Sequence, residues 1–131
     1  MDKILAVGCG GFLGAIMRYC LDVWIPRFPA LQDCPIPVAT LFANLAGCFL
    51  IGLLKGIADC MHFFNPTTTL FLFTGVLGSF TTFSTFGFQT WRFLDDGKIF
   101  ELLLYISLSV FLGVFLVWAG YSMCCRTLQN P

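Results

Sequence analysis

Charge is scarce in this chain, and histidine is scarcer. Only 11% of its 131 residues are charged, seven basic and seven acidic, and His62 is the sole histidine. A soluble domain gives roughly a quarter of its residues to charge, so an ordinary water-facing surface is excluded. The formal net charge is zero and no acidic or basic block is present, which removes nucleic acid as a partner. There is no ATP-binding motif. One histidine and carboxylates at segment edges cannot assemble an acid–base or nucleophile–base constellation, so no enzyme is expected. The seven cysteines, at positions 9, 20, 34, 48, 60, 124 and 125, are odd in number and lack C-x-x-C spacing. That argues against a zinc centre and a disulfide framework; inside apolar segments cysteine acts as a small hydrophobe. A strand-like alternation is missing throughout.

What the chain does have is long apolar runs. It is 58% hydrophobic, with a mean hydropathy of +0.88. The expectation is one integral membrane domain over residues 1–131, all-α, with four transmembrane helices at about 4–25, 38–58, 70–94 and 99–123. Lys3 followed by apolar residues resembles the start of a signal peptide. Arg18 interrupts the run and no small-x-small cleavage pattern follows, so the segment reads as a membrane helix. Four prolines in residues 26–37 predict a loop. Asn65-Pro66 and Asp95-Asp96-Gly97-Lys98 read as turns, and Trp91-Arg92 as an interfacial anchor.

The most informative stretch is Gly75 to Phe86, in the middle of the third segment. It packs two glycines, five hydroxyl residues and three phenylalanines into a dozen positions. Glycine and threonine weaken a helix, and Ser/Thr side chains compete for backbone hydrogen bonds. Lipid cannot satisfy an open backbone group, so irregular backbone at membrane depth survives only against protein or a water-filled path. A third helix broken at its centre is expected, marking an ion or substrate site. A hydroxyl-rich packing face between helices is the competing reading.

Other features support close helix packing and a polar path. Gly10 and Gly14 form a G-x-x-x-G on the first helix, and Ala39, Ala43 and Gly47 form a small-residue face on the second. Arg18 lies within the first span, where a charge demands a reason; pairing with Asp22, snorkelling, and a place near an aqueous entrance are the options. Thr40 and Asn44 share a face of the second helix, and Tyr105 and Ser109 a face of the fourth. Leaving out Arg18, alternating helix directions put Lys3, Lys55 and Arg126 on one side of the membrane, and Arg27, Arg92 and Lys98 on the other. Loop charge normally sets orientation. A balance of this kind fits insertion both ways up and an antiparallel dimer, a two-chain counterpart of transporter inverted repeats.

Three segments together resemble the Fluc/CrcB family of fluoride channels. They are Gly10-Gly11 through Gly14-Ala15-x-x-Arg18-Tyr19, Thr40-Leu41-x-x-Asn44-x-x-Gly47, and Gly75-x-x-Gly78 through Thr81-Thr82-Phe83-Ser84-Thr85-Phe86. The resemblance covers nearly the whole chain, and the third segment is its most specific part. It implies an antiparallel dual-topology homodimer in the inner (plasma) membrane, with two pores that release cytoplasmic fluoride. It also implies one structural Na+ at the dimer centre, held by backbone carbonyls of Gly78 and Thr81. By position, Asn44, Phe83 and Phe86 match the pore residues; Thr40, Ser84, Thr85, Tyr105 and Ser109 fit the polar path, and Arg18 a vestibule or structural charge. Phe80 is assigned to packing. Ser79, Gly87 and Gly113 depart from residues frequent in relatives. The alternative is a small multidrug-resistance-type antiporter, also a four-helix dual-topology dimer. That type needs a carboxylate embedded in the first helix, where this chain carries an arginine.

Overall fold

The computed structural model describes residues 1–61 and 64–129, with side chains for 1–60 and 64–126. His62 lies outside the described residues. All regular structure among the described residues is helical. Helix α1 spans Asp2–Trp24, and α3 spans Val38–Met61. Between them the expected loop contains two short helical pieces, a 3-10 turn at Ile25–Arg27 and α2 at Pro29–Gln32. Each has a proline at its start, where a fixed φ favours the helix and the missing N–H costs nothing. Two of the four prolines counted as breakers, Pro26 and Pro29, therefore begin helical turns here.

The third segment opens at Asn65, whose side chain accepts a hydrogen bond from the Thr68 backbone N–H at 2.8 Å and caps α4 (Pro66–Thr69). Widened π-type turns over Leu70–Leu77 continue into α5 (Gly78–Phe80). Thr81 (φ −86°, ψ 156°) and Thr82 (φ −146°, ψ 117°) are extended, and α6 then runs over Phe83–Asp95. Gly97, at φ +71°, turns the chain back. The last segment is α7 (Ile99–Ser107), a π-type stretch at Leu108–Leu112, and α8 (Gly113–Gln129). Four stretches are long and apolar enough to cross a membrane: Asp2–Arg27, Val38–Cys60, Pro66–Asp95 and Ile99–Arg126.

Two tight helix pairs organise the molecule. In the first, α1 lies against the 70–80 half of the third segment. A Cβ at Gly10 would meet the Phe71 carbonyl and Gly75 Cα, and one at Gly14 would collide with the Val76 carbonyl. In the second, α3 lies against α8, with Gly52 on the Val117 carbonyl and Gly120 on the Phe49 carbonyl. Without a hydrophobic drive between helices in lipid, such backbone approach supplies van der Waals packing. A small core of Leu41, Phe93 and Tyr105, backed by Leu45, Phe86 and Leu102, joins α3, α6 and α7. Phe80 is also buried. Large apolar side chains on the outside, such as Phe12, Phe111 and Val114, suit contact with lipid chains.

Candidate functional site

The site begins at the extended pair Thr81–Thr82, because a membrane segment cannot leave peptide groups open. Asn44, projecting from α3, answers both groups of Thr82. Its Oδ1 accepts from the Thr82 N–H at 2.9 Å, and its Nδ2 donates to the Thr82 carbonyl at 3.3 Å. Gly47, one turn further along α3, makes room for the Thr81 side chain, since a Cβ there would strike Thr81 Cγ2. Thr81 turns its own hydroxyl back to donate to the Leu77 carbonyl at 3.0 Å. Thr82 Oγ1 caps α6 by accepting from the Thr85 N–H at 3.2 Å, and it also bonds Thr85 Oγ1 (3.0 Å) and Ser84 Oγ (3.2 Å).

The interruption leaves the last carbonyls of α5 and that of Thr81 without their helical donors, those of Gly78 and Thr81 among them. In a continued helix the Thr82 N–H would reach the Gly78 carbonyl, and the Thr85 N–H the Thr81 carbonyl. The first N–H goes instead to Asn44 and the second to Thr82 Oγ1. Gly78 and Thr81 thus present oxygen acceptors suited to a hard cation. Among the described residues no group of three His, Cys, Asp or Glu could hold a metal, so oxygen from the backbone is the chemistry on offer.

Around this point lies an open groove of about 360 Å³. Its lining includes Asn44, Gly78, Thr81, Phe83, Phe86 and Ser109, which brings together six of the residues singled out in the sequence. Phe83 is 84% exposed. Its ring lies 5.7 Å from that of Phe86, tilted by 41°, and Phe86 in turn lies 5.2 Å from Tyr105. Ser109 Oγ is buried and has no hydrogen-bond partner among the described residues. An orphan hydroxyl in such a place costs stability and is ready to donate to a ligand.

Thr40 and Tyr105 stand apart from the groove lining. Both are buried, Tyr105 completely, and they are joined through Gln89. The Tyr105 hydroxyl donates to Gln89 Oε1 at 2.8 Å, and Gln89 Nε2 donates to Thr40 Oγ1 at 3.0 Å. Gln89 was not among the residues selected from the sequence. Its signal was available: an amide in an apolar segment, three residues beyond Phe86 and so on the same helix face. Replacing Gln89 with leucine is expected to leave the helices in place and to reduce transport severalfold. Measuring transport in Q89L beside Q89E tests this, because glutamate keeps an acceptor for Tyr105.

Arg18 lies elsewhere. It is half-buried on α1 and donates to Asp22 Oδ2 at 3.4 Å, one helical turn on. That pair lies outside the groove lining.

Four stretches long and apolar enough to cross a membrane, with a groove lined by aromatic and hydroxyl side chains between them, define a small multi-pass membrane protein. The chain belongs to the CrcB family: residues 5–121 match the family model described as CrcB-like protein, Camphor Resistance (CrcB). It is 35% identical to the fluoride-specific ion channel FluC of Methylobacillus flagellatus over 129 residues, covering 98% of this chain and 99% of that one. The FluC of Flavobacterium psychrophilum is 38% identical, covering 92% of this chain and 94% of that one. For the FluC of Leptospira interrogans serogroup Icterohaemorrhagiae serovar copenhageni the values are 40%, 92% and 93%. All three relatives are named as ion channels.

Proposed function

We propose that this chain is a fluoride-selective channel that lets cytoplasmic fluoride leave passively and so relieves fluoride toxicity. The observation that carries the reading is the groove in which Phe83, Phe86, Asn44 and Ser109 meet. A small anion that sheds water needs hydrogen-bond donors, yet a fixed positive charge would trap it. The groove offers donors without such a charge, the second Nδ2 hydrogen of Asn44 and the Ser109 hydroxyl, while Ser84 and Thr85 lie outside the lining and bond to Thr82 within it. The edges of the Phe83 and Phe86 rings carry partial positive charge and add weak, sequential contacts. Beyond them, Tyr105, Gln89 and Thr40 extend a line of polar groups along α3, α6 and α7. Arg18, outside this line, acts on the vestibule or on the fold.

The third span works as a discontinuous helix, interrupted at Thr81–Thr82. Its working unit is an antiparallel homodimer of identical chains in the inner (plasma) membrane. The three-against-three balance of basic residues and an exposed Phe83 that a second subunit would cover support this. The carbonyls of Gly78 and Thr81 fit a structural Na+; when bound, the ion would neutralise their partial charges and fix the interruption.

The test is fluoride release from proteoliposomes loaded with fluoride and chloride, with voltage held by a potassium ionophore. Rapid fluoride loss with chloride retained is expected, and F83I and F86I should each lower the rate while leaving the protein folded and dimeric. Unchanged flux in both variants would reassign the rings to packing. No fluoride release from folded dimeric protein would sink the channel reading and turn attention to proton-coupled drug exchange.

A further inference from the structure

Two of the seven cysteines sit in a relation that neither packing nor conduction explains. Cys60 lies one residue before the end of α3, and Cys125 lies near the end of α8. Their Sγ atoms are 3.1 Å apart, and both residues are half-buried. Cys124, beside Cys125 in sequence, is buried against Gly56, whose added Cβ would lie 2.8 Å from Cys124 Cβ. The two adjacent thiols are therefore distinct: one fills the α3–α8 contact, and the other faces Cys60.

The surroundings place this pair at the polar edge of the bundle. Lys55 Nζ lies 2.6 Å from Asp59 Oδ1, and the Tyr121 hydroxyl donates to Asp59 Oδ2 at 3.4 Å. Ionic groups of a membrane protein cost least at the aqueous interface, so the exposed Lys55 and Asp59 beside the pair argue for access by a water-borne oxidant. The close α3–α8 approach at Gly52, Gly56 and Gly120 holds the two elements at their separation.

We propose that Cys60 and Cys125 are a redox-modifiable pair, which a small-molecule disulfide converts to an intramolecular disulfide tying α3 to α8. One cysteine sulfur, as thiolate, attacks the oxidant's S–S bond, giving a mixed disulfide and releasing one thiol. The other cysteine sulfur then attacks the mixed disulfide, forming the Cys60–Cys125 bond and releasing the second thiol. The oxidant gains two electrons, and the two protons lost by the cysteines end on its two thiols.

The experiment treats the detergent-solubilised full chain with glutathione disulfide, alkylates the remaining thiols, and maps linked peptides by mass spectrometry. The expected result is a species lighter by two hydrogens, with Cys60 linked to Cys125, formed in C124S and absent from C60S and C125S. A second variant, with the other five cysteines changed to serine, should form the same link. Free alkylation of Cys60 after oxidation would overturn the proposal. So would a link from Cys60 to Cys124, or one from Cys60 to another chain.

Discussion

Replacing Asn44 with leucine is expected to abolish measurable fluoride flux and to destabilise the protein. Leucine keeps the branched outline, at larger volume, but removes both bonds to Thr82, the acceptor for its N–H and the donor to its carbonyl. An orphaned buried backbone group costs about 1–3 kcal/mol, and two are orphaned here. In lipid the extended pair has no water to fall back on. A tenfold loss of rate needs only about 1.4 kcal/mol at the barrier, so even partial repositioning of Thr81–Thr82 reaches that size. The contrasting variant is N44D. Aspartate can still accept from the Thr82 N–H, but it brings a negative charge into an anion path and has no N–H to donate. N44D is therefore expected to stay folded and still fail to conduct, whereas N44L loses thermal stability as well. Melting curves measured alongside proteoliposome flux separate the two effects. Wild-type flux in N44D would remove Asn44 from the ion path and leave it a purely structural clamp.

The second large effect is expected at Gly14. A Cβ there would run into the Val76 carbonyl and crowd the Phe80 N. A backbone atom cannot change rotamer to escape, so G14V forces α1 away from the third segment. Overpacking costs about 1–3 kcal/mol in an ordinary core, and a moving helix also loses the contacts at Gly10 and Gly75. G14V should lower the yield of monodisperse protein sharply on size-exclusion chromatography. Gly87 is the control. Nothing lies within 4 Å of a Cβ built there, so G87A should behave as wild type. If G14V instead matched wild type in yield and melting, the α1 packing described above would be wrong.

The two predictions differ in how much of their basis was visible before folding. Gly10 and Gly14, four apart, already announced a close helix contact. The partner, Phe71 to Phe80, could not be read, because a small-residue face says that something comes near and not what. Asn44 was legible as an amide in need of partners, with an anion or a helix of a second subunit as the candidates. The structure instead engages both ends of its carboxamide with Thr82, thirty-eight residues away, which leaves one N–H for a ligand. Tyr105 and Ser109 were grouped by helical spacing. In the structure Tyr105 is completely buried and packs on Phe86, while Ser109 lines the groove itself.

By itself the sequence determined the number and approximate limits of the apolar segments, the absence of catalytic chemistry, and the small-residue faces. These are properties of composition and of the 3.6-residue period, both local along the chain. It also carried the likeness to the CrcB family, through motifs on three segments. Only the tertiary structure decided which polar groups satisfy one another: Asn44 with Thr82, Gln89 between Tyr105 and Thr40, and Ser109 with none among the described residues. It alone set the Cys60 sulfur against Cys125 and not Cys124. In a membrane the reason is physical. Lipid offers no hydrogen bonds, so each polar group must find its partner across helices, and those pairings depend on crossing positions that no single segment encodes.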